Sequence, residues 1–417
     1  MDVIEGRAFI KGDLVPCCIG VEDGRIAAIK KAIRGEEHHD YGDLIILPGA
    51  IDPHVHMREP GLTHKEDFNT GTMAAVFGGV TCILDMPNTV PPTTDRERLY
   101  EKRQTASRRC WTDFGLLGGA ADPREMIRMA PEVPGYKLFM SSTTGELAYK
   151  GDPAPVIRAA VSQGRVLSVH AEDEGLFGRR AEWSLSDHLD NRPPEAEASA
   201  IRKLGELTDY DRLNICHLSS ARGLEEARPL PFAREVTPHH LLLSANGDLG
   251  TWGKVNPPLR REEDREAMFQ AFRSGEIQML ASDHAPHTKG EKEEEFPHAP
   301  SGVPGVETSF PLMMNMVKRG MIDLPRLVAC ASAWAAHLLG LNKGLIEVGR
   351  DADLMVIDPR QVTTIRGEEL HHKCGWTPFE GWEAIFPHAT FLRGQRVMED
   401  GALTSGRMGR DITADGG

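Results

Sequence analysis

From residue 44 onward, short apolar runs of strand character alternate with longer stretches whose apolar positions recur at helical spacing. The strand-like runs cover residues 44–56, 80–88, 113–120, 135–140, 165–172, 212–219, 234–240 and 276–287, and residues 65–77, 94–109 and 193–207 are among the clearer helices. Eight such runs separated by helical segments predict a (β/α)8 TIM barrel. The flanks read differently. Before residue 44 apolar and polar residues alternate, with Asp23-Gly24 as a turn in 21–26, and strand character returns in 346–358 and 390–397. The chain is therefore expected to be α/β, a barrel over 48–344 with a small β-sandwich domain assembled from 1–47 and 345–417.

The polar residues that interrupt this pattern fall at one place in the repeat. His56, Asn88, Lys137, His170, His217, His239 and Asp283 all lie at or near the C-terminal ends of their runs, which in such a barrel is the active-site face. Any one of them alone reads as a strand ending at solvent; the set reads as a site. The densest segment is Asp52-Pro53-His54-Val55-His56-Met57-Arg58-Glu59-Pro60-Gly61. Alternate side chains of a strand share a face, so His54 and His56 point the same way and can grip one metal ion. Arg58 continues that face, and a guanidinium beside a metal suggests a substrate carboxylate.

Composition narrows the class. At 417 residues, with 40% hydrophobic and 26% charged residues, the chain has the make-up of a globular, enzyme-sized protein. A formal net charge of -14 argues against a nucleic-acid surface and leaves anion binding to local cations such as Arg58. The seven cysteines are scattered and form no Cys-x-x-Cys pair, which fits a reducing, cytoplasmic setting. The start lacks a basic segment followed by a long apolar one, and no run approaches the ~20 residues of a membrane span, so neither a leader nor a membrane anchor is expected. The cluster Glu291 to Glu295 reads as a solvated loop.

His54, His56, His170, His217, Lys137 and Asp283 together supply ligands for two borderline metal ions, imidazole and carboxylate being suited to zinc. An ammonium repels a dication, so Lys137 alone reads as a salt-bridged strand end. Among these neighbours it reads instead as a lysine that loses its proton and takes up carbon dioxide, giving a carbamate able to bridge two metals. Asp283, within Ala281-Ser282-Asp283-His284-Ala285-Pro286-His287, is placed to accept a proton from attacking water and return it to a leaving nitrogen. Read without its context it is a helix cap. His284 reads as a supporting hydrogen-bond group, as do His239 and His240. Cys216 and Glu235 are positioned for an extra zinc, but a buried small thiol and a strand-end carboxylate are the plainer reading.

At this point the sequence resembles the dihydroorotases of the amidohydrolase superfamily over essentially its whole length. The resemblance is carried by the segment from Asp52 to Gly61, Met86-Pro87-Asn88-Thr89, Tyr136-Lys137-Leu138-Phe139-Met140, Val169-His170-Ala171-Glu172, Cys216-His217, Pro238-His239-His240, Val255-Asn256-Pro257-Pro258-Leu259-Arg260, Ala281 to His287 and Gly302 to Thr308. It implies two zinc ions per subunit: His54, His56 and Asp283 on the first, His170 and His217 on the second, and Lys137, as N6-carboxylysine, bridging both. It further implies that Arg58, Asn88 and His287 hold the substrate's α-carboxylate, that Asn256 and the segment 300–305 line the ring pocket, and that 141–145 is a lid from which Thr143 touches substrate. Many bacterial members carry Asp at the position of Lys137 yet share Asn-Pro-Pro-Leu-Arg, so this chain combines features of separate branches.

The activity so implied is zinc-dependent reversible hydrolysis of (S)-dihydroorotate to N-carbamoyl-L-aspartate in pyrimidine (UMP) biosynthesis. Two alternatives compete. Allantoinases and dihydropyrimidinases share the His-x-His, lysine and aspartate but open rings lacking the carboxylate, and they generally lack an arginine at the position of Arg58. A catalytically silent dihydroorotase-like scaffold for aspartate transcarbamoylase would be expected to have lost ligands, whereas every ligand position here is filled. A homodimer and association with aspartate transcarbamoylase are expectations from the resemblance.

Overall fold

The computed structural model describes residues 1–413. Its central element is a closed ring of parallel strands: Ala50–Val55, Val80–Asp85, Asp113–Leu116 continuing into Gly118–Gly119, Gly135–Phe139, Val166–His170, Leu213–Ile215, Ala233–Val236 and Met279–Leu280. Neighbours pair in sequence order, and the ring closes where Val55 bridges to His284 and the His56 amide donates to the His284 carbonyl at 2.8 Å. Helices between the strands bear capping residues that explain their starts. Asp67 accepts from the Asn69 and Thr70 amides ahead of Phe68–Phe77, Asp95 accepts from Arg98 ahead of Arg96–Arg109, and Pro194 opens Pro194–Leu207.

The expected strand runs hold in number and order but not in length. The run 44–56 is two strands that serve two sheets, separated at Gly49, whose amide donates to Asp353 and whose Cα lies against Thr81. In 234–240 the strand stops at Val236, and Pro238–Leu242 is a short helix capped by Thr237, so His239 and His240 are helical residues. In 276–287 only Met279–Leu280 pairs as strand, and the rest is loop that carries the site.

The chain ends build one hydrogen-bonded sheet beside the barrel. Its order is Ala402–Leu403, Gln395–Glu399, Pro387–Leu392, Leu354–Ile357, His38–Pro48, Asp2–Ile10, Asp13–Glu22 and Arg25–Lys30. Asp23 and Gly24 both adopt positive φ, +52° and +78°, the pair a tight hairpin turn requires. Ile4, Ile19, Ile46, Leu354, Val356 and Phe391 form this sheet's own apolar core, separate from the larger core between barrel strands and helices. Among the described residues no helix is long and apolar enough to cross a membrane.

Candidate active site at the barrel mouth

Strand alternation explains why polar side chains gather inside the barrel. Tyr136, Leu138, Leu167 and Val169 belong to the apolar core of the barrel, while the alternate positions Lys137, Ser168 and His170 are polar and buried. A network crosses the interior: Asn214 Nδ2 donates to Glu235 Oε2 at 2.7 Å, Glu235 Oε1 accepts from His54 Nδ1 at 2.6 Å, and Asp52 Oδ1 accepts from the Ser282 amide at 3.1 Å. It anchors the groups that lie above it.

At the C-terminal ends of the strands a cavity of about 200 Å³ opens. His54, His56, Arg58, Asn88, Thr143, His170, His217, Asn256, Asp283 and His287, all anticipated from the sequence, line it together with the 300–302 segment. Lys137 does not line it; it sits one layer deeper, fully buried, in the middle of its strand rather than at the end. Three of these residues leave their strands in the left-handed region, Arg58 at φ +60°, His217 at +35° and Asp283 at +45°, a conformation costing on the order of 1 kcal/mol each for residues with a Cβ. The turns aim these side chains inward.

Each of three histidines is oriented from behind. His54 donates to Glu235, His56 Nδ1 to Asn88 Oδ1 at 2.7 Å, and His170 Nε2 to Glu172 Oε2 at 2.7 Å. That fixes a proton on each rear nitrogen and leaves a lone pair of His56 and His170 facing the cavity. Burial and Lys137 would lower His54, but Asp283 and Glu235 push it up to about 10, so that its forward nitrogen yields its proton only to a bound cation. The facing atoms have separations suited to a shared cation: His54 Nε2 and His56 Nε2 lie 3.2 and 3.1 Å from Asp283 Oδ1, and His170 Nδ1 lies 3.0 Å from His217 Nε2. Ligands about 2.0 Å from a tetrahedral ion stand roughly 3.3 Å apart. His54, His56 and Asp283 therefore fit one borderline dication, and the pair His170 and His217 offers two further imidazole donors beside it. Among the described residues, His54, Cys216 and Glu235 form a second ligand-like group beneath the first. The Lys137 ammonium touches it, 2.9 Å from Cys216 Sγ and 3.4 Å from His54 Nε2, and forms no salt bridge among the described residues.

The electrostatics divide the cavity. Burial, with Arg58 and His54 adding to it, pushes His56 down to about 3 despite Asp283. Burial would raise Asp283, but His54 and His56 overcome it and hold the carboxyl well below its ordinary range. On the opposite wall Arg58 is lowered by burial only to about 10 and stays charged at neutral pH, donating to the Pro286 carbonyl at 3.2 Å. Its Nη2 lies 3.1 Å from His287 Nε2. Burial, helped by Arg58 and Lys65, takes His287 down to about 3; its Nδ1 accepts from Lys65 and its Nε2 donates to the Ser301 carbonyl, so that Nε2 offers no lone pair to the Arg58 Nη2 beside it. The cavity thus has an imidazole and carboxylate floor and a cationic wall.

Thr143 closes the mouth from the 141–147 loop, its Oγ1 accepting from Asn88 Nδ2 at 3.1 Å, while the Ser142 amide is held by Glu174 at 2.8 Å. The supporting residues were not read from the sequence. Arg192 grips Glu172 behind His170, His188 grips Asn256, and Lys292 donates to the carbonyls of Lys254, Pro300 and Gly302. Their partners lie between 8 and 68 residues away or are main-chain atoms, so only the polar character of these residues was visible.

Comparison with known proteins agrees with this layout. Residues 45–397 match the Amidohydrolase family. The chain is 39% identical to a dihydroorotase of Methanosarcina acetivorans, over 94% of this chain and 91% of that protein. It is also 39% identical to a dihydroorotase of Halobacterium salinarum, over 94% and 96%. In structure it resembles an L-hydantoinase (dihydropyrimidinase) from Arthrobacter aurescens, TM-score 0.93 and 27% identity over 98% of this chain and 99% of that one. A D-hydantoinase (dihydropyrimidinase) from Thermus sp. gives TM-score 0.90 and 26% identity over 99% of both chains. The barrel, the inward-facing histidines and the full-length similarity converge: the chain belongs to the amidohydrolase family and, within it, to the dihydroorotases.

Proposed function

We propose that the protein catalyses the reversible hydrolysis of (S)-dihydroorotate to N-carbamoyl-L-aspartate, the step of pyrimidine biosynthesis that gives dihydroorotases their name. The observation that carries this reading is Arg58, a charged guanidinium in the wall of a 200 Å³ cavity whose floor is four histidines and Asp283. Guanidinium and carboxylate pair through parallel hydrogen bonds, and a buried arginine facing a cavity is satisfied by an anionic ligand.

In this reading His54, His56 and Asp283 would hold one zinc ion and His170 and His217 a second, and Lys137, beneath them, would add a carboxylated Nζ as a further ligand. The metals supply Lewis acidity toward the ring carbonyl and lower the pKa of water. The chain's own residues do the rest. Arg58, with His287 and Asn88 beside it, holds the α-carboxylate, and Asn256 and the 300–302 segment position the ring. Thr143 covers the ligand and excludes water. Asp283, ionised at neutral pH, takes the proton of the attacking water and delivers it to the ring nitrogen as the amide C–N bond breaks. Ring closure runs the same path backwards. The seven cysteines, all buried and unpaired, support a cytoplasmic setting. Association with a second copy or with aspartate transcarbamoylase belongs to the same reading and is checked by sedimentation.

The structural likeness to hydantoinases favours a second reading, opening of rings without a carboxylate. Arg58 weighs against it, since such a substrate leaves the guanidinium facing an uncharged edge. The metal requirement is tested by chelation. Purified protein is expected to carry about two zinc ions per chain, to lose turnover of L-dihydroorotate when they are stripped, and to regain it with zinc and bicarbonate together. Full activity in the stripped protein contradicts the proposed centre.

A further inference from the structure

Asn256 presents an asymmetry that the reading above leaves unused. Its Oδ1 lies 2.9 Å from Nε2 of His188, a buried residue of the helix Leu185–Asn191. The same nitrogen lies 3.0 Å from the Val255 carbonyl, which can only accept. Nε2 therefore carries a hydrogen, and an amide oxygen, not an NH2 group, must face it. Nδ1 lies 2.9 Å from Glu182 Oε2, a second group that only accepts, so both ring nitrogens donate and turning the ring over changes nothing. The hydrogen bond from His188, aided by Asn191 and Lys254, holds the Glu182 carboxyl down to about 2 against partial burial, so it stays an acceptor at neutral pH. Among the described residues the Asn256 Nδ2 has no protein partner, and Asn256 lines the cavity.

We propose that His188, backed by Glu182, is a positioning residue that locks the Asn256 carboxamide with its NH2 toward the cavity. Asn256 then offers the ligand a hydrogen-bond donor only, and it selects ligands that present a carbonyl oxygen there over ligands that present an amino group. Both ring carbonyls of a dihydropyrimidine are such acceptors. The inference rests on the proposed reaction only in placing a substrate against Asn256. A donor locked in this way discriminates strongly, because a mismatched amino group leaves donor facing donor in a buried site.

The test is a double-mutant cycle read as separate kcat and KM values. His188→Phe, which keeps a ring but no N–H, is expected to raise KM for L-dihydroorotate about tenfold with kcat within about twofold, the worth of one hydrogen bond. His188→Gln, which returns an N–H near the Nε2 position, is expected to restore KM to within about threefold. In an Asn256→Ala background His188→Phe is expected to add less than about twofold, because the two residues act as one. His188→Leu replaces the phenylalanine if that variant does not fold. An unchanged KM in the single variant, or a full additional loss in the Asn256→Ala background, overturns the proposal. If the parent protein fails to turn over dihydroorotate, the proposed reaction falls instead. The cycle is then read on whichever cyclic amide it hydrolyses.

Discussion

The proposed specificity of this site rests on Arg58, whose surroundings support that reading. Its guanidinium is buried and faces no carboxylate within salt-bridge distance among the described residues; it donates to the Pro286 carbonyl and lies beside a neutral His287. An unpaired buried charge is costly, so the site is incomplete until an anion arrives. Arg58→Met is expected to lower kcat/KM for dihydroorotate by at least about a hundredfold, since hydrogen bonds to charged groups are worth about 1.5–3 kcal/mol each. Zinc content is expected to stay the same, as measured by atomic emission, because Arg58 is not among the cation-facing atoms; parallel loss of metal and activity contradicts the carboxylate role. At this scale the sequence was most legible. His-x-His on one strand and an arginine two residues on are local patterns, and all three residues face the cavity. Lys137 differs: periodicity located its strand but not its depth, and it lies below the cavity against Cys216. The grip of His188 on Asn256 spans 68 residues of sequence and was not legible.

Among the elements, the lesson is in the run of residues 44–56. Its apolar character was plain, but one apolar run serves two sheets, and only a glycine marks the change. At Gly49 the chain leaves the strand His38–Pro48 of the outer sheet and enters Ala50–Val55 of the barrel. A Cβ there would stand 2.3 Å from Thr81 Oγ1, and the Gly49 carbonyl accepts from Ser332 at 2.6 Å. Gly49→Ala is expected to cost about 1–3 kcal/mol of stability by overpacking. His54 and His56 leave the same strand, so activity at 25 °C should fall as well; chemical denaturation and turnover check both, and a silent substitution contradicts the tight junction. The seventh and eighth strands were read as too long for a related reason. The residues after Val236 and Leu280 continue the same runs and are buried, polar ones included, but the barrel needs only two to four residues of each for its ladder, and the remainder turns into helix or loop around the site.

For the whole molecule, the two chain ends meet in one sheet, and a buried charge cluster fastens it to the barrel. Lys343 Nζ lies 2.7 Å from Asp113, 3.1 Å from Asp351 and 2.5 Å from Asp353. Asp113 also pairs with Arg393. Asp113 begins its barrel strand, so this cluster is at the end opposite the cavity. Lys343→Met leaves buried carboxylates uncompensated and is expected to cost about 3–5 kcal/mol, seen as a lower Tm, with the kcat of the folded fraction unchanged. An unchanged Tm contradicts the fastening role. The pairing of the two ends was foreseeable because both read as strands and neither fits a barrel repeat, whereas the charged residues that join them are far apart in sequence and carry no local pattern. The central claim, a carboxylate-reading cyclic amidohydrolase, is tested most directly by the ratio of kcat/KM for L-dihydroorotate to that for dihydrouracil, the same ring without the carboxylate. The expected ratio is at least about a hundred, the contribution of the Arg58 pairing. A ratio near one, or one favouring dihydrouracil, would contradict that claim.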